Sequence, residues 1–106
     1  MNTCMIYATA GSPEEARTLA KMLVEANLVA CVNILDGATS VYRWDGITQF
    51  EEESILIAKT SVDRRSEAMA RLKDLHSYET PCIVSYAMAD GTPDYLDWIV
   101  TQTTSG

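Results

Sequence analysis

A single α+β domain with a ferredoxin-like β-α-β-β-α-β order, a long central hairpin and a closing helix is predicted by three observations. Two amphipathic helical stretches each lie between runs rich in strand-forming residues. An Asp45-Gly46 pair splits the longest such run into a hairpin. The 106 residues suffice for one core and no more.

"CMIYATA", from Cys4 to Ala10, is a short apolar run rich in strand formers, ended by Gly11, and Cys4 is read as preceding the first strand it forms. "SPEEARTLAKMLVEANL" opens the first helix with Ser12 as N-cap, Pro13 at the first helical position and Glu15 three residues after the cap. Such a capping box answers free backbone donors, and the acids suit the positive helix end. Ala16, Leu19, Ala20 and Leu23 recur at helical spacing and define a buried stripe, with Asn27 as the stop.

"VACVNILDGATSVYRW" is the second strand, and Asp36-Gly37 within it signals a bulge or bend. "ITQFEEESILIAKTS" returns as the third, polar near the turn and apolar beyond it. An arm whose tip is too polar to bury itself either projects or pairs with another chain. "VDRRSEAMARLKDLH" gives a second helix, with Asp63 as its expected cap and Ala68, Met69, Leu72, Leu75 and His76 along one stripe. Pro81 forbids its continuation. "CIVSYAMA" is the fourth strand, Asp90-Gly91 turns the chain, and "TPDYLDWIVTQT" closes it as a helix capped at Thr92 with Pro93 at its start. The helices are expected on one sheet face. With nothing left to cover the other, self-association through that face and the arm is the economical solution.

Fifteen acidic against eight basic side chains give a net charge of -7. An acidic surface with scattered cations repels phosphate backbones, which excludes a nucleic-acid partner. No stretch reaches the ~20 apolar residues of a membrane span, and the start lacks the pattern of a signal peptide. Cys4, Cys31 and Cys82 are odd in number and without CxxC spacing, so they read as free thiols of a cytoplasmic protein. "TAGSPEEA" has neither the glycines nor the lysine of a phosphate loop, and no GxSxG or HExxH occurs.

Five stretches resemble one family in order and spacing: "ACVNI" (30–34), "SVYRWDG" (40–46), "EEESILIAKT" (51–60), "HSYETP" (76–81) and "DYLDWI" (94–99). Together they are similar to CutA, the divalent-ion tolerance proteins. The resemblance implies a compact homotrimer whose hairpins meet between subunits, and an architecture similar to the nitrogen-signalling PII proteins. It also implies a link to tolerance of copper and other divalent cations.

The residues leave the chemistry open. His76, the only histidine, is either a metal ligand or proton carrier, or a residue that satisfies carbonyls near a helix end. Tyr78 and Glu79 beside it form an acid-base set or simply close a turn. Cys82 is the thiol best placed to share a weakly bound copper or other divalent ion with His76; otherwise it is inert. Lys59 extends the row Ile55, Ile57, as a rim residue or an anion pocket. The resemblance favours a ligand cleft that also takes Tyr42, Trp44 and Glu53. Read without it, those aromatics are interface anchors, and Glu51, Glu52 and Glu53 are a solvated acidic edge that discourages aggregation. Trp98 is expected to pack the closing helix onto its neighbour. The leading reading is a cation-linked binding or regulatory protein. A small-molecule enzyme using Lys59, His76 and Glu79, or a trimeric scaffold, are the alternatives.

Overall fold

The computed structural model describes residues 2–104. Strand β1 (Thr3–Ala10) is followed by α1 (Pro13–Glu25), β2 (Cys31–Trp44), β3 (Ile47–Ser61), α2 (Val62–Leu75), β4 (Ile83–Ala87) and α3 (Pro93–Gln102). The sheet runs β2-β3-β1-β4 with every neighbour antiparallel. This is the ferredoxin-like arrangement with its long hairpin and terminal helix.

Local chemistry accounts for most boundaries. Ser12 Oγ accepts the Glu15 N–H at 3.1 Å, as the capping box requires. Helix α1 ends at Glu25, and Asn27, just past the Ala26 cap, takes a left-handed φ of 59°. Asp45 and Gly46 have φ of 50° and 77°, the mirror-image turn that suits strand twist. Leu35 faces Ile55 while Ala38 faces Glu53, so β2 carries one extra residue there. Gly37, at φ 78°, absorbs that bulge.

Ile6, Ala8 and Ala10 of β1 join Leu56 and Ala58 of β3 on one sheet face. There they pack against Ala16, Leu19, Ala20 and Leu23 of α1 and Ala68 and Leu72 of α2. Each leucine or isoleucine so buried contributes about 2 kcal/mol.

Three expectations are corrected. The closing helix does not share the face of the other two. Tyr95 Oη lies 3.4 Å from Cys31 Sγ, and Thr103 Oγ1 donates to Ser61 Oγ at 3.0 Å. Both partners sit opposite the buried Ala58 and Thr60 and the half-buried Val32, so α3 crosses one end of the second face. A hydrophobic stripe says that a helix packs, not on which side. Asp63 is not the cap of α2: Ser61 holds that position without a side-chain bond to the helix, and Asp63 lies in the first turn, where its charge still suits the helix dipole. Cys4 lies inside β1, fully buried.

Beyond α3 the second face stays open, with Leu35, Val84 and Tyr86 exposed. The arm beyond the bulge exposes Val41, Trp44, Ile47 and Phe50, the last at 72%. It stretches the molecule to 45 Å against 25 and 21 Å in the other directions.

Candidate functional site

The richest polar cluster lies where β1 ends. Beyond Ala10 the strand no longer borders β3, and the segment between α2 and β4 folds into the space. Tyr78 Oη donates to Glu53 Oε2 at 3.0 Å. Gly11 makes this possible: a Cβ there would sit 2.9 Å from the phenol oxygen, so only glycine lets the ring approach.

His76 is the hub. Its Nδ1 accepts the Tyr78 N–H at 3.0 Å, which leaves Nε2 to carry the proton and donate to the Thr9 carbonyl at 2.7 Å. The network uses both ring nitrogens and leaves the side chain no exposure. The carbonyl it satisfies belongs to β1 rather than to its own helix, and a metal at Nδ1 would have to displace the Tyr78 N–H. Glu15 completes the corner. Its carboxylate accepts Ser77 N–H at 2.8 Å, Ser77 O–H at 2.9 Å and Gly11 N–H at 3.3 Å. Burial favours the neutral acid, but these donors, with His76 nearby, outweigh it and hold the pKa below the ordinary glutamate value.

Neighbouring groups are held protonated. Burial, the hydrogen bond to Glu53 and the charges of Glu53, Glu51 and Glu15 push Tyr78 up to about 12. Burial and the Glu53 charge raise Cys82, so its sulfur is a thiol at neutral pH and a weak nucleophile. Tyr78, Cys82 and Glu53 can therefore bind a polar or cationic group, while neither hydroxyl nor sulfur is activated for attack.

Not all the predicted residues come together within one chain. His76, Tyr78, Glu53 and Cys82 share the corner. Glu53 is only 9% exposed, which removes it from the solvated acidic edge. Glu79 points instead to a groove of about 410 Å³ between α2 and β4, beside Lys73 and Pro81. Lys59 stands six positions along β3 from Glu53, roughly 20 Å away. Tyr42 lies on the arm and donates to Glu51 Oε1 at 3.1 Å, while Trp44, 61% exposed, sits near the turn. Trp98 stacks on Tyr95 within the chain. Sequence reasoning missed Glu15, Ser77 and Gly11 as parts of the corner; Glu15 was visible only as a helix cap.

Residues 4–102 match the family of the CutA1 divalent ion tolerance protein. The chain belongs to that family. The divalent-cation tolerance protein CutA of Thermus thermophilus is 43% identical over 99 residues, covering 93% of this chain and 96% of that one. CutA from Xylella fastidiosa superposes with a TM-score of 0.96 at 34% identity, covering 98% of this chain and all of the other. The periplasmic divalent cation tolerance protein CutA of Archaeoglobus fulgidus gives 0.93 at 38% identity, over 96% and 99% of the two chains.

The family name directs attention to cations. Among the described residues, no three His, Cys, Asp or Glu side chains converge on one point. With His76 saturated, the corner offers a hard carboxylate from Glu53 and a protonated thiol from Cys82, too few donors for a tight site within one chain. Among the same residues no helix is long and apolar enough to cross a membrane.

Proposed function

We propose that this CutA family member acts in the cytoplasm as a homotrimer linked to tolerance of copper and other divalent cations. It would bind a metal ion or small ligand weakly in clefts where subunits meet, and its architecture would resemble that of the PII proteins. The observation that carries this reading is the uncovered apolar surface: Leu35, Val84 and Tyr86 on the open sheet face, continued along the same face of the arm by Trp44 and Ile47, with Val41 and Phe50 exposed on the arm's other face. Exposed apolar surface of this extent marks an interface. Its position beside Glu53 and Tyr78 would place a boundary between copies at the corner, where a second copy could complete the incomplete donor set. Three cysteines free of disulfides fit a reducing compartment.

Light scattering is expected to give three times the 11.7 kDa chain mass. Calorimetry with Cu²⁺ and Zn²⁺ is expected to show saturable, weak binding that Glu53→Gln or Cys82→Ser diminishes at unchanged mass. A monomer at micromolar concentration would refute the assembly. Affinities indifferent to both substitutions would remove the corner from the cation's path.

A further inference from the structure

Further along β3, near its C-terminal end, hydrogen-bond donors are in surplus. Lys59 is half-buried on the open sheet face and directly opposite Cys31. The ion pairs among the described residues are Arg17–Asp36 and Arg64–Glu67, with His76 close to Glu15. Lys59 is in none of them, although the chain carries seven more acids than bases. Its ammonium donates instead to the neutral Asn33 carbonyl oxygen, two residues from Cys31 on the same face.

That bond fixes the rest of the cluster. With Asn33 Oδ1 accepting, the amide turns its NH₂ outward, and the ammonium has donors to spare. Tyr95 Oη and Cys31 Sγ hold one hydrogen bond between them at 3.4 Å, so one of their two protons is also unused. The Tyr95 phenol is raised by its bond to Cys31 and by burial, and keeps its proton. No Asp or Glu occurs in β1, in β4, in 31–35 of β2 or in 54–61 of β3, and Asp94 and Asp97 of α3 make no ion pair with Lys59. Beside them the Tyr95 and Trp98 rings stack at 5.6 Å and expose an aromatic surface. Unanswered donors around one positive charge call for an acceptor-only group.

We propose that Lys59, Asn33, Cys31 and Tyr95 form a subsite for a small monocarboxylate, its apolar part lying against Tyr95 and Trp98. A single ammonium matches a single negative charge, and the acidic chain as a whole disfavours a dianion. This subsite is separate from the Glu53 corner and does not need the cation reading to be correct.

The test uses fluorescence of the full-length protein. Trp44→Phe leaves Trp98 as the sole tryptophan reporter. Benzoate and acetate, titrated against sodium chloride at constant ionic strength, are expected to give a saturable change, with benzoate the tighter. Lys59→Met should weaken it at least tenfold. Asn33→Asp, which installs a competing carboxylate while keeping the side-chain shape, should do the same. A change that never saturates, or one that survives both substitutions, overturns the subsite. Phosphate binding tenfold tighter than benzoate overturns the monocarboxylate class. Light scattering on the same samples separates the two proposals: a monomer that still binds benzoate sinks only the assembly. Loss of assembly mass in Lys59→Met, without any benzoate response in the parent, shows a partner's carboxylate on the amine and overturns the subsite.

Discussion

The middle and the far end of β3 carry opposite kinds of site. Around Glu53, hydrogen bonds from Tyr78, His76, Ser77 and Gly11 are answered by acceptors of the same chain. At the Lys59 end, donors outnumber acceptors and a single neutral amide stands in for an anion. A region dense in reactive residue types can be closed by its own hydrogen bonds, whereas a plainer one can be left open. Density of reactive residues measures neither; the balance of donors and acceptors does.

The largest effect that would sharpen this contrast lies at His76. His76→Ala strands the Thr9 carbonyl and the Tyr78 N–H in a buried place and opens a cavity, a loss expected at about 3 kcal/mol. Urea denaturation followed by circular dichroism measures it. A loss below about 1 kcal/mol would mean the corner is not self-contained.

Gly11 comes next. Gly11→Ala pushes the Tyr78 ring off Glu53 and should cost about 1–2 kcal/mol. In the double variant Gly11→Ala/Tyr78→Phe the atom 2.9 Å from the new methyl is gone and the next approach is 3.4 Å. The two costs should then fall short of additive in a double-mutant cycle, and strict additivity would disprove the contact.

The smallest expected effect concerns acid. Glu15 has a folded pKa below its unfolded value near 4.5, so its contribution is present above that value and fades as pH falls through the folded pKa. Glu15→Gln should therefore flatten the stability curve below about pH 4.5 and leave its upper part parallel to the parent. An unchanged acid limb would show that Ser77 and Gly11 do not favour the ionised form.

Much of the frame was legible because its causes are local. The stripe Ala16, Leu19, Ala20, Leu23, the Ser12 cap, the Asp45-Gly46 turn and the Gly37 bulge each depend on residues a few positions apart. The side chosen by α3 was not legible, since Tyr95 meets Cys31 across 64 positions. Glu53 looked like one of three surface acids because the phenol that covers it arrives from 25 residues downstream. Alternation along β3 did place Glu53 on the face of Ile55, Ile57 and Lys59, the one hint that its fate would differ from that of Glu52. The ambiguity at His76 was real: helix-end position and imidazole chemistry are local, but its carbonyl partner Thr9 lies 67 residues away.

The extra residue between Leu35 and Ala38 has a consequence for how chain length can change. On β2 it lets odd-numbered Asn33 and Leu35 and even-numbered Tyr42 and Trp44 look the same way, while β3 keeps strict alternation. Removing or adding a single amino acid there would invert the outer ribbon on one strand only, turning its two aromatics away from Gln49 and Glu51. Length variation at this point should therefore be tolerated in steps of two and resisted in steps of one.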